Sequence, residues 1–212
     1  MPYQRLEARL IMIRTLLLAV LALADEFSHV YQPGEAVTVW LNKAVSKLHP
    51  LKSHTVNWLS LCRGQWFSTH PLSVGEVLEG FELQDSGMEV NFLQNLEQRP
   101  LCSVQLSKEV VEKLEVAVQK EFWVQLIIDD LAVWGSMGVK DNFTLKESVY
   151  THFHLLIHYQ NNQIIHVVYR PEGPAELGSA QQALNLTYSV TWVPSATPFQ
   201  SRLSLYEDYF FS

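Results

Sequence analysis

The chain has 212 residues, 15 Lys+Arg against 22 Asp+Glu, a formal charge of −7, and 48% hydrophobic residues. That composition excludes an intrinsically disordered protein, and the acidic balance (pI near 5.6) argues against a nucleic-acid binder, which normally carries a basic stripe. Its longest apolar run, Leu16–Ala24, falls short of the ~18–20 residues that cross a bilayer.

That run has its own reading. Arg5, Arg9 and Arg14 precede it and Ala22-Leu23-Ala24 ends it, the pattern of a signal peptide cleaved after Ala24. Residues 1–24 then form an export signal, and 25–212 form the mature domain, 188 residues carrying a charge of −9. An oxidising compartment changes how the two cysteines, Cys62 and Cys102, read. With no third cysteine present, one disulfide is expected, closing a loop of about 40 residues and stabilising by ~3–4 kcal/mol. Asn142-Phe143-Thr144 and Asn185-Leu186-Thr187 are N-glycosylation sequons suited to the same compartment. Asn142 falls in a polar loop, and Asn185 opens an apparent strand.

Most of the mature chain reads as short strands. Ala36–Asn42 is β-branched and aromatic after the Pro33-Gly34 turn signal. Residues 43–72 show no clear periodicity. Glu89–Leu93 and Leu101–Leu106 are short apolar runs. Ser107 to about Lys120 is the exception: Val111, Leu114 and Val118 recur at helical spacing behind a Ser107 N-cap. Trp123–Ile128 and Ala132–Gly138 flank Asp129-Asp130, which suits a turn. Thr151–Tyr159 and Ile164–Tyr169 form a hairpin about Gln160-Asn161-Asn162-Gln163, since Asn tolerates positive φ. Residues 170–182 have the Pro/Gly/polar composition of a surface loop, and Leu184–Trp192 supplies a last strand before Pro194. The expected fold is mainly β, an antiparallel β-sandwich or partly open barrel with one covering α-helix at about 107–120.

Little catalytic chemistry is visible. His152, His154 and His158 share one face of a strand at period-two spacing. With a two-residue turn at Asn161-Asn162, His166 falls opposite Ile157 on the other face, so no metal site is expected and the histidines read as a pH-sensitive surface. Adjacent Asp129 and Asp130 point to opposite faces in a simple strand, which does not suit paired-carboxylate hydrolysis. No nucleophile elbow, zinc-protease helix or phosphate-binding loop occurs. No catalytic residue and no cofactor are assigned.

Several stretches, in order, resemble the luminal head of the nonaspanins, the transmembrane nine superfamily. His29-Val30-Tyr31 followed by Glu35-Ala-Val-Thr-Val-Trp40-Leu-Asn-Lys43 resembles the family's opening. Gly75-Glu76 with Gly80-Phe-Glu-Leu83, then Cys102 through Leu106 and the helix after it, follow. Ile128-Asp129-Asp130-Leu131-Ala132-Val133-Trp134-Gly135 is the most specific match, although Ala132 stands where the family has Pro. The 153–168 hairpin and Thr187-Tyr188-Ser189-Val190-Thr191-Trp192 continue it. Arg202 and Tyr206-Glu-Asp208-Tyr-Phe-Phe211 are similar to the family's sequence just before its first membrane span. Trp58-Leu-Ser-Leu-Cys62 departs from the family's version, and no multi-span membrane domain follows Ser212 in this sequence.

The resemblance implies structural roles for Trp40, Asp129, Asp130, Trp134, Gly135, Tyr188 and Trp192, and it favours the Cys62–Cys102 bridge. It implies a non-enzymatic head of a membrane protein that helps sort other membrane proteins along the Golgi–endosome–surface route. Its partners are then membrane-protein cargo or luminal proteins, with no nucleic acid and no small-molecule cofactor. Alternatives from other classes are a secreted lectin-like or adhesive module, and a glycan-active enzyme using Asp129 or Asp130.

Overall fold

A computed structural model describes residues 29–49, 53–55, 62, 83–141, 146–178 and 183–205. In chain order the strands are β1 (Ala36–Val37), β2 (Val39–Ser46), β3 (Ser53–Thr55), β4 (Gln84–Asp85), β5 (Val90–Asn91) and β6 (Leu96–Gln105). Helix α1 (Lys108–Gln119) follows, then β7 (Phe122–Ile128), β8 (Leu131–Ser136), β9 (Gly138–Lys140), β10 (Glu147–Gln160), β11 (Gln163–Glu176) and β12 (Ala183–Pro194). Two short 3₁₀ turns, Phe199–Ser201 and Leu203–Leu205, end the described chain.

Two five-stranded sheets face each other. One runs β11-β10-β12-β6 with β9 added to β10; the other runs β3-β2-β7-β8 with β4 added to β2; β1 and β5 pair separately. They remain separate sheets, so the mainly β sandwich is the form adopted rather than a closed barrel. The inner faces interdigitate as alternation requires. Leu155 and Ile157 of β10, Leu184, Leu186 and Val190 of β12, and Leu126, Ile128, Leu131 and Val133 of the β7–β8 hairpin are at most 3% exposed. Helix α1 starts where Ser107 Oγ accepts from the Val110 amide at 3.3 Å. Its Leu114, Ala117 and Val118 are buried, and it packs against β7, β9 and β10.

Several details differ from the sequence expectation. One sheet is mixed, because β10 and β12 pair in parallel, with His152 beside Thr187 and His154 beside Ser189, while the other is antiparallel throughout. Segment 170–176 is strand rather than loop: β11 continues through Pro171 and Pro174. It is tolerated because, among the described residues, β11 is an edge strand paired only with β10, so the prolines' missing N–H groups leave no second neighbour unpaired. Strand β2 extends to Ser46, into the stretch without readable periodicity, because a register shift after Leu41 breaks its alternation.

A fourth difference moves a functional candidate. Tyr159 pairs with Ile164, but His158 pairs with His166, so Ile165 is the extra residue of a β-bulge. Both Ile164 and Ile165 are fully buried. His166 therefore shares the outer face with His158 instead of lying opposite Ile157.

Both central hairpins turn on two residues with positive φ: Asp129 (49°) and Asp130 (62°) in one, Asn161 (47°) and Asn162 (62°) in the other. That is the requirement of a twist-matched two-residue turn, and Asn and Asp meet it better than other non-glycine residues.

Candidate functional site

The tips of these hairpins, one from each sheet, meet at one end of the sandwich. Two side chains from distant parts of the chain tie them together. Tyr31 donates its hydroxyl to Asp129 Oδ1 at 2.9 Å, and its amide donates to the Asn162 carbonyl at 2.8 Å. Arg202 Nη1 donates to Asp129 Oδ2 at 2.6 Å and to the Ile164 carbonyl at 3.2 Å. The Arg202 and Asp129 side chains are only 4% and 6% exposed. Phe199 lies under the Arg202 guanidinium, 4.1 Å from ring centroid to the central carbon.

This arrangement is a clamp. Both Asp129 oxygens are committed, one to a hydroxyl and one to a guanidinium. Burial, and next the Asp129 carboxylate, push the Tyr31 phenol far above its ordinary range, so it stays a proton donor. Beside it His29 Nε2 is 2.8 Å from Glu35 Oε1, and the Gln32 amide donates to Glu35 Oε2 at 2.7 Å. The Gln32 N–H, and then His29, hold the Glu35 carboxyl below its usual range.

An aromatic row extends inward from the clamp. Tyr31 stacks on Phe92 at 5.2 Å, and Phe92 meets Trp192 edge-on at 4.9 Å. Tyr188 receives the Glu89 amide at 3.0 Å, which pins the β5 region to β12. The buried Trp192 Nε1 has no hydrogen-bond partner among the described residues.

The other family-motif residues lie on β2, on β8 and in the β7–β8 turn. Trp40 and Trp134 are half-buried, and Trp40 pairs with Ile127 while Trp134 lies opposite Gln125. Gln125 is buried and accepts from Asn42 Nδ2 at 2.7 Å. Gly135 faces the opposing sheet, where a Cβ would fall 1.8 Å from Tyr169 Cδ1. Gly135→Ala is therefore expected to displace the Tyr169 ring and destabilise by about 1–3 kcal/mol, the range for overpacking. Chemical denaturation reads this, and Tyr169→Ala in the same background should recover part of the loss.

On the outer face of the β10–β12 sheet, histidines meet hydroxyls. His152 Nδ1 is 2.8 Å from Thr187 Oγ1 and its Nε2 is 2.8 Å from Ser189 Oγ. His154 Nε2 is 3.0 Å from Thr191 Oγ1. The parallel β10–β12 register, invisible in the sequence, creates these pairs. His158 and His166 rings stand 5.7 Å apart. Burial first, then Arg170, lowers the His158 pKa; burial first, then His158, lowers that of His166. Asn185 is exposed in line with Thr187, so the strand does not shield it.

Cys62 and Cys102 are joined by a disulfide, with Cα atoms 5.6 Å apart. Cys62 borders an apolar cavity of about 80 Å³ between the sheets, whose lining includes Leu101, Leu126, Met137, Phe153 and Tyr169. The cleavage site after Ala24, the Asn142 sequon, Trp58–Leu61, Gly75-Glu76, Gly80 and the Tyr206–Phe211 motif lie outside the described residues.

Sequence reading placed Asp129 in a turn and identified Arg202, but it did not join them. The partnership spans 73 positions, and only the match of both to one family's motifs hinted at it.

Comparison with known proteins follows the same lines. Residues 55–212 match the family model described as Endomembrane protein 70. The chain is 28% identical over 192 residues to "Transmembrane 9 superfamily member 2" of Arabidopsis thaliana, covering 86% of this chain and 32% of that protein. It is 26% identical over 213 residues to "Putative phagocytic receptor 1b" of Dictyostelium discoideum, covering 97% and 36%. "Transmembrane 9 superfamily member 1" of Rattus norvegicus is 30% identical over 182 residues, covering 81% and 31%. The chain thus spans about a third of the length of these curated relatives.

Proposed function

The chain belongs to the Endomembrane protein 70 family, and on that premise we propose that residues 25–212 act as the luminal, non-enzymatic head of a nonaspanin-like membrane protein. The observation that carries the luminal placement is the Cys62–Cys102 disulfide. Such bridges persist in oxidising compartments and are rare in the cytosol. The exposed Asn185 sequon suits the same side of the membrane. In this reading the hairpin-tip end lies nearest the bilayer: Arg202 anchors there the segment that runs on towards Tyr206–Phe211, and Val30, Leu203 and Leu205 around it are exposed.

The head's task is then sorting and surface delivery of other membrane proteins along the Golgi–endosome route, through contacts with their luminal parts. A glycan-active role for Asp129 finds no support in the clamp, since its oxygens are bonded to Tyr31 and Arg202.

The test is made in cells. The protein is expected to be protected from protease in sealed vesicles and to shift on treatment with peptide N-glycosidase, and Asn185→Gln should reduce that shift. Cleavage by protease added to intact vesicles would overturn luminal placement. For sorting, cells lacking the protein should lose a subset of biotinylated surface membrane proteins, restored by re-expression. An unchanged surface proteome would sink that role.

A further inference from the structure

We propose that His158 and His166 form a cross-strand, two-imidazole site for a divalent transition-metal ion of the zinc class. The bulge at Ile165 brings His166 directly opposite His158 on the outer face. Both rings are half-buried, their centroids are 5.7 Å apart, and their planes are tilted by 37°. An imidazole bound through either nitrogen holds its centroid ~3.2 Å from the ion, a bond of ~2.0–2.1 Å plus ~1.1 Å of ring. Two rings on one ion, at an angle of ~109–125°, therefore stand ~5.2–5.7 Å apart, which includes the observed spacing. Imidazole is the ligand type that suits zinc, copper and nickel.

The neighbourhood decides the kind of site. Leu156 and Val168, the next cross-strand pair on this face, wall one side. Further along, His154 faces Arg170, and His152 faces Glu172. His152 holds both ring nitrogens on Thr187 and Ser189 and His154 holds its Nε2 on Thr191, and the Leu156–Val168 pair separates both from His158 and His166. Among the described residues no group of three or more His, Cys, Asp or Glu side chains converges on one point. Water completes the coordination, and the site holds an exchangeable ion rather than a structural one. Arg170, whose charge acts on His158, opposes the ion.

The experiment titrates zinc chloride into the untagged protein by calorimetry, with thermal unfolding in parallel. One saturable site is expected, with a zinc-dependent rise in Tm. His158→Gln and His166→Gln should each weaken binding by about tenfold or more, since losing a ligand costs at least as much as losing a supporting partner. Arg170→Gln should tighten it, and His152→Gln should leave it unchanged. Circular dichroism confirms that each variant is folded. Equal weakening by His152→Gln, unchanged affinity in both His158→Gln and His166→Gln, or no saturable binding by the folded wild type would overturn the site.

Discussion

Replacing Arg202 with Ala is expected to destabilise the fold by about 3–5 kcal/mol, the cost of leaving a buried charge without its partner. The orphan is Asp129, 6% exposed, in a turn whose positive φ already strains a non-glycine residue. The loss is a large fraction of the ~5–15 kcal/mol that holds a typical domain together. It falls on an end of the sandwich where Tyr31, two hairpin tips and the Phe199–Ser201 turn converge on one carboxylate. Asp129→Asn should cost nearly as much: amide and carboxylate have the same shape and Asn tolerates the turn, but Arg202 is left buried and unneutralised. Combining Asp129→Asn with Arg202→Met removes both charges and keeps an acceptor for Tyr31. That pair should recover most of the stability, because replacing both members of a buried ion pair is often near neutral. Denaturant unfolding of the wild type, Asp129→Asn, Arg202→Met and the double variant closes the cycle and gives the coupling energy directly. A loss of under about 1 kcal/mol in Arg202→Ala would place the pair among weak surface contacts and remove the clamp from the account of this fold.

What the sequence disclosed divides by range. Helix α1 was legible because its cap, Ser107, and its buried stripe, Leu114, Ala117 and Val118, are local signals. Both hairpins were legible for the same reason, since Asp129-Asp130 and Asn161-Asn162 sit between apolar runs and accept positive φ. Strict alternation through Ile164-Ile165 predicts the wrong face for His166. Adjacent isoleucines in a strand that otherwise alternates apolar and polar were the available sign of a bulge. Pro171 and Pro174 suggested a loop because edge position is a property of the sheet, not of the segment. The hydroxyl partners of His152 and His154 depended on β10 and β12 pairing in parallel, across 35 to 37 positions. No local pattern encodes that choice. Gly135 was visible only as a motif residue; its reason, the Tyr169 ring from the other sheet, is tertiary.

Replacing Cys62 and Cys102 together by Ser is expected to cost ~3–4 kcal/mol, the chain-entropy value for a loop of about 40 residues. The bridge links positions 40 apart and holds residue 62 against β6, an edge strand whose only strand partner among the described residues is β12. Released, the unfolded chain gains the freedom of that loop. The folded state also loses a contact bordering the cavity near Leu101. The two contributions can be separated. If the effect acts through the unfolded state, the denaturant m-value of the double variant should rise, because a less constrained chain exposes more surface on unfolding. If it acts through the folded core, m should stay constant while the midpoint falls. Wild-type protein treated with reductant should match the double variant in either case. Alkylation without prior reduction, followed by intact-mass analysis, should label neither cysteine; labelling of both would remove the bridge, and with it the physical argument for an oxidising compartment.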